Sequence, residues 1–455
     1  MRAQAPAGWW PSSLSYSVVI VGAAILGIAP LAGWALASES WLIFMGLAVI
    51  AVLPIIVAWP VISTVGLYAV LAIFLDAFPL LPGSSVTKPI GVLAGATLVA
   101  AGLVERRLRR PPPAVLWWGL LLGWAMLSAA WALRPGLVFT RLPTAVSLFV
   151  LYLVGVSYKP TKRDLYWVCV LTVLGGVMAA ISAYFFGFNE QAATVTAARG
   201  RLVLGDLESN PNTLGRVLLL PLAIAIVGFV RLRGTLEKGL ALSAVAVISV
   251  GIYTSVSRSA VLAALAMLAV LFYRIHARKY VFGVMLLLLA LLTMMPDVLF
   301  HRFAQLSSGQ DATGSGRTEI WTVGLEALQR FGFYGAGLEN FVEVYISSTP
   351  LLSGGKTAHN TYLMVFVELG AVGLILMLGG ITSHLLALWK ARKAGHDGAA
   401  LTALEAASWG SLISAMFGDQ IWSSKSFWLI WMLLVWAIRY EAQTEDVSKT
   451  PTFAG

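Results

Sequence analysis

Apolar residues in this chain do not alternate, nor do they recur at every third or fourth place. They fill long unbroken runs near 16–37, 41–58, 61–79, 86–103, 114–132, 142–157, 164–186, 212–230, 239–256, 259–274, 280–297, 359–389, 401–417 and 426–440. About 20 apolar residues carry a helix across the hydrocarbon of a bilayer. Lipid offers backbone groups no water, so such runs must be helical. The pattern predicts an all-α polytopic membrane protein with twelve to fourteen transmembrane helices, because runs such as 142–157 are short for a crossing. The first run ends in Ala35-Leu36-Ala37, like a signal-peptide cleavage site. It is long for a signal peptide and further spans follow, so it reads as a retained first helix.

Polar residues set the orientation. Basic clusters stand at Arg106/Arg107/Arg109/Arg110, Lys159/Lys162/Arg163, Arg231/Arg233/Lys238, Arg274/Arg278/Lys279 and Lys390/Arg392/Lys393. Consecutive clusters are separated by an even number of spans, so all can lie on one side, which the positive-inside rule makes cytoplasmic. Both termini then fall inside, in an inner membrane of bacterial type. The loops 38–40, 80–85, 133–141, 187–211, 257–258, 298–358 and 418–425 fall outside. Loop 298–358 is far longer than an ordinary connection, and long loops are usually functional. Three regions follow: N-terminal membrane helices 1–194, a core 195–440 including that loop, and a cytoplasmic tail 441–455.

Composition sharpens this picture. The chain is 59% hydrophobic and 11% charged, with net charge +10. In a soluble protein that charge would suggest nucleic acid; here it is accounted for by cytoplasmic loops. The single cysteine, Cys169, excludes an intrachain disulfide or a CxxC site and reads as a small buried hydrophobe. Neither a Walker-type nor a dinucleotide-binding glycine motif is present.

The chemistry-bearing residues gather in the outward loops. Arg199, Arg201, Arg216, Arg258, Arg302, Arg317, Lys356 and Lys425 lie outside, against the orienting rule. They either snorkel and pair locally or grip an anion, and arginine's planar fork suits phosphate. In Asn210-Pro211-Asn212 the proline pre-sets a helix start that Asn212 or Thr213 can cap. Ser257-Arg258-Ser259 is a tight turn that places an arginine at the outer interface. From Gly314 to Trp321 a helix begins, with Ser315 as cap and Glu319 in its first turn. Ile320, Trp321, Leu325 and Leu328 share a face that could lie on the membrane, and Gly335 and Gly337 allow a tight turn after it. His359-Asn360 opens the longest late span, which continues through Glu368 and Gly370. An imidazole there could take a proton from a hydroxyl. No HxxxH spacing exists, so no metal ligand is assigned. Asp419 and Lys425 flank the last outward turn and either pair together or line a polar cavity.

In order and placement, Asn210-Pro-Asn212, Ser257-Arg258-Ser259, Ser315-Gly-Arg317 with Trp321, Gly335-x-Gly337, His359-Asn360 and Glu368-x-Gly370 resemble the O-antigen ligase and polymerase superfamily, over roughly residues 195–435. The resemblance implies a GT-C-like membrane glycosyltransferase with short helices in a large periplasmic loop and no metal or cofactor. Such enzymes take a glycan from undecaprenyl diphosphate on the periplasmic face. Ligases deliver it to a lipid A core sugar, polymerases (exopolysaccharide enzymes included) to another lipid-linked repeat, and relatives to protein hydroxyls. By that resemblance His359, Arg201 and Arg258 are the catalytic candidates. Arg199, Asn210, Arg216, Arg317, Glu319, Asn360, Asp419 and Lys425 are the candidate substrate contacts. A transporter of lipid-linked glycan is the competing class. Transporters put ionisable groups at mid-membrane in repeated halves, whereas here Asp76 and Glu368 are the nearest cases and no repeat is apparent.

Overall fold

Helices form almost where the apolar runs place them. The computed structural model describes residues 59–77, 87–186, 203–204, 207–208, 211–255, 257–275, 278–293, 317–349, 355–418 and 421–449. In chain order they form α1 (Pro60–Ala77), α2 (Thr87–Val104), α3 (Ala114–Leu127, ending in a 3-10 turn), α4 (Pro135–Ser157), α5 (Lys162–Phe186), α6 (Pro211–Val217), α7 (Leu219–Arg231) and α8 (Thr235–Thr254). There follow α9 (Arg258–Arg274), α10 (Arg278–Thr293), α11 (Arg317–Phe331), α12 (Phe341–Ser348), α13 (Thr361–Lys393), α14 (Ala399–Ala415) and α15 (Lys425–Lys449). A two-residue ladder, Val203–Leu204 against Leu207–Glu208, precedes α6. The architecture is all-α and polytopic, as expected. With α6 and α7 taken as one span, Asn212–Arg231, six of the described helices are long and apolar enough to cross a membrane, and two further apolar helices are shorter. The predicted spans 16–37 and 41–58 lie outside the described residues.

Three local expectations shift. The stretch 133–141 is not a loop: α4 begins at Pro135, whose fixed φ suits the first helical turn. The short run 142–157 thereby becomes a 23-residue helix, and Arg141 moves onto it. Likewise α6 starts at Pro211, so Asn212 and Thr213 lie within its first turn instead of capping it. In α11 the buried face is Ile320, Val323 and Gly324, whereas Leu325 is 59% exposed. The helix packs on α13 through Gly324, where an added Cβ would sit 3.0 Å from Leu363. That contact decides which face turns inward.

Between helices in lipid no hydrophobic driving force remains, so close approach by small residues does the work. α14 is rich in Ala and Ser and is buried along almost its whole length. Gly379 and Gly380 of α13 admit the rings of Trp117 and Trp118 from α3. Gly155 of α4 makes room for Met432, and its carbonyl accepts the Trp436 indole N–H at 2.7 Å. The N-terminal helices thus pack directly on α15. Cys169 is buried in α5, as expected.

The basic clusters meet on one face. Lys159 N–H donates to the Arg107 carbonyl and Arg109 N–H to that of Ser157, while Arg439 reaches the carbonyls of Arg110 and Tyr158. Burial and the Asp164 carboxylate push the Tyr158 hydroxyl above its ordinary pKa. Arg163 lies over Trp59 at 4.0 Å, which puts the start of α1 on that face too. Arg274 and Arg392 share the buried Glu405, at 2.8 and 2.5 Å, and Arg231 reaches Asp397 at 3.6 Å. The parity argument from sequence therefore has a physical counterpart: loops far apart in the chain are tied together at one end of the bundle.

Candidate functional site

At the opposite end, the ends of α3 and α4 meet the segment 332–360. Helix α13 is broken at Gly370, whose φ of 70° and ψ of −169° belong to a region open essentially to glycine alone. A break inside a membrane helix frees backbone groups that need partners. The loop after α11 supplies them: Ala336 and Gly337 N–H donate to the Val367 and Glu368 carbonyls at 2.9 and 2.8 Å, and Ala371 N–H donates to that of Gly332 at 2.8 Å. The Trp124 indole N–H takes the Leu369 carbonyl at 2.9 Å. Gly335 and Gly337 have φ of 85° and 101°, the tight turn expected of them. A Cβ on Gly335 would overlap the Glu368 carbonyl, and one on Gly370 that of Phe333. The paired glycine motifs are one device, a loop laid against a helix break. Glu368, buried beside it, accepts from Phe341 N–H at 3.3 Å.

His359 lies just before the start of the same helix, α13, and adopts φ 47°, a left-handed conformation that costs a non-glycine residue about 1–2 kcal/mol. Its neighbours hold it there. Asn360 caps α13, its side-chain oxygen accepting from Tyr362 and Leu363 N–H at 3.0 and 3.1 Å. Thr361 donates to the Gly418 carbonyl at 2.5 Å. Upstream, the Ala358 carbonyl accepts the Trp321 indole N–H at 3.0 Å. The imidazole is half-buried, with the Thr357 hydroxyl 3.4 Å away. Beside it lies a cavity of about 90 Å³, lined by Arg141, Glu339, Thr357, Glu368 and Trp422 among others.

The cations arrive from separate helices. Arg258 is the first residue of α9, whose cap Ser257 accepts from Ala260 N–H at 3.3 Å. Gly215 lets α6 pack under this turn, because a Cβ there would meet Ala260 and the Ser255 hydroxyl. The next residue, Arg216, donates to the Asn212 carbonyl at 3.1 Å and the Thr213 hydroxyl at 2.9 Å. Its guanidinium packs against Gly418, the residue that receives Thr361. Arg216, Gly418, Thr361 and His359 are thus linked, with the Arg258 turn on the other side of α6. Arg317 and Lys425 are the first residues of α11 and α15. Glu319 accepts from the Tyr345 hydroxyl at 2.7 Å and lies 3.8 Å from Lys356. Arg199, Arg201, Asn210 and Asp419 lie outside the described residues.

Cations at helix N-termini oppose the helix dipole, and Arg258, Arg317 and Lys425 all occupy that position. The Arg258 Nη1 is buried without a hydrogen-bond partner among the described residues. A buried donor of that kind is costly unless something accepts from it. Among the described residues, no three His, Cys, Asp or Glu side chains stand together as a metal site requires.

Sequence reasoning missed Arg134, Arg141, Glu339, Glu343 and Trp422. Arg141 makes a two-pronged ion pair with Glu339, one bond being 2.7 Å, and Arg134 meets Glu343 at 2.9 Å. Both arginines stood in a predicted outward stretch, so the rule that singled out Arg258 was also the signal for them. Their partners were not legible, because they come from the far side of a long loop.

Among the described residues, Arg258, Arg317, Lys425 and His359 thus stand in a polytopic, all-α membrane bundle at the end away from its basic loops. Residues 240–378 match the family model described as O-antigen ligase, in line with the superfamily that the motifs resemble. The match contains Arg258, Arg317, Trp321, His359 and both glycine motifs. It is narrower than the stretch 195–435 over which the motifs resemble the superfamily. No curated protein matches the chain. That match supports an activity of the O-antigen ligase or polymerase type in general.

Proposed function

We propose that the enzyme is a ligase that moves a glycan from undecaprenyl diphosphate to an acceptor hydroxyl, a lipid A core sugar or similar, at the periplasmic face of a bacterial inner membrane. The observation that carries this reading is a buried Arg258 Nη1 with no hydrogen-bond partner among the described residues, at the same end of the bundle as the strained His359 segment. Arg258, together with Arg201, binds the donor diphosphate; Arg216, Arg317 and Lys425 add to the field, and Arg199, Asn210 and Asp419 are further candidate substrate contacts. His359 takes the proton of the acceptor hydroxyl as its oxygen attacks the anomeric carbon. The bond from that carbon to the diphosphate breaks, and undecaprenyl diphosphate leaves with the electron pair. Attack from the opposite face inverts the configuration. Fixed positive groups stabilise the charge that grows on the leaving phosphate, without a metal ion. Asn360 supports the site by capping the helix behind the histidine.

The test is transfer by purified, reconstituted enzyme from a defined undecaprenyl-diphosphate glycan. His359→Ala should abolish transfer while the protein still elutes as a monodisperse species, and chelation with EDTA should leave the wild type undiminished. Full activity in the variant would remove His359 from the chemistry. Product attached to lipid A core supports the ligase; longer lipid-linked chains would make the enzyme a polymerase, and product on a protein hydroxyl would make it a protein oligosaccharyltransferase.

A further inference from the structure

We propose that α11 is a splint for the histidine segment, with Trp321 and Glu319 as positioning residues for the His359 imidazole. The proposal rests on the reading of His359 as general base. A left-handed residue that carries a Cβ keeps that conformation only where its surroundings over-determine it. On the C-terminal side of His359 the constraint is the Asn360 cap and the Thr361 bond to Gly418. On the N-terminal side it comes from α11. Trp321 holds the carbonyl of buried Ala358, one residue before the histidine. Glu319, one turn-edge earlier, faces the Lys356 ammonium at 3.8 Å and takes the Tyr345 hydroxyl at 2.7 Å. Lys356 also lies over the Tyr345 ring at 5.6 Å. The splint is itself fixed, because Gly324 lets α11 press on Leu363 and Phe341.

The consequence is mechanistic. A general base works only within hydrogen-bond reach of the proton it takes, and a small misplacement lowers the rate steeply. Release of the Ala358 carbonyl would let the peptide before His359 rotate and the imidazole swing away from its place. Glu319 thereby moves from substrate contact to support, since both of its oxygens face residues that brace the loop.

Hydrogen exchange of the full-length protein in detergent, read at the amides of 355–363, tests this without any substrate. Trp321→Phe keeps a ring and removes the donor, and Glu319→Gln keeps an acceptor for Tyr345 and removes the charge. Loss of one such bond should speed exchange in that segment by about tenfold, with residues 377–390 unchanged. In the transfer assay Trp321→Phe should lower kcat about tenfold at constant donor KM. Unchanged exchange in both variants, or a raised donor KM at constant kcat, would overturn the splint. Full activity in His359→Ala would instead overturn the general-base reading, while the exchange data would still report on the tether.

Discussion

Arg258 and His359 show what a single residue contributes here. Each is held by a short local motif: Ser257 caps the helix that Arg258 begins, and Asn360 caps the one that follows His359. From sequence Ser257 reads as part of a tight turn and Asn360 as the opening of a span; the structure makes both of them caps, a role their side chains favour. The strain at His359 is not legible in the sequence, since a φ of 47° follows from tethers contributed by Trp321 and Gly418. The value of Arg258 lies in its fork: a lysine keeps the charge and loses the planar pair of donors. Arg258→Lys should therefore cut transfer roughly 100-fold, comparable with loss of a charge-stabilising donor elsewhere, while the thermal stability of the purified protein stays within a degree or two. A variant with wild-type kcat would remove the guanidinium from the transition state.

At the scale of elements, the broken helix α13 and the glycine loop form the part of the site with the least tolerance. The loop donates two backbone N–H groups across the break and accepts one from it, and the Trp124 indole N–H donates to the Leu369 carbonyl. Gly370→Ala would add a Cβ against the Phe333 carbonyl in a backbone region that residues with side chains avoid. A loss of roughly 3 kcal/mol or more follows, visible as a lower melting temperature or as aggregate in fluorescence-detected gel filtration. Wild-type melting would mean that the break relaxes freely. At the other end, Glu405 holds two guanidinium groups from α9 and α13. Glu405→Ala leaves both without that partner, at a cost of about 3–5 kcal/mol, whereas Glu405→Gln retains an acceptor and should lose less. The order of the two melting temperatures checks this. Sequence patterning located α13, yet it read one uninterrupted span, because Gly370 among apolar residues looks like any glycine at a membrane helix interface.

The whole molecule is polarised. Basic loops knit one end together, and at the other Arg141 meets Glu339, Arg258 and Arg317 begin helices, and Arg216 packs on the Gly418 that receives Thr361. Labelling checks the orientation proposed for it. In a Cys169→Ser background, a membrane-impermeant maleimide applied to intact spheroplasts should modify Gly136→Cys and spare Gly239→Cys until the membrane is opened. Both positions have open space for the new side chain. The reverse pattern would invert the topology and put the site in the cytoplasm. Helix positions, burial of Cys169 and the common face of the basic loops were all determined by sequence, since each depends on the contrast between lipid and water along a short stretch of chain. Other features were decided only by tertiary structure: the break at Gly370, the pairing of Arg141 with Glu339, the inward face of α11 and the tethers on His359. They join residues far apart in the chain, and no local pattern of hydropathy or charge encodes which distant carbonyl a given N–H will find.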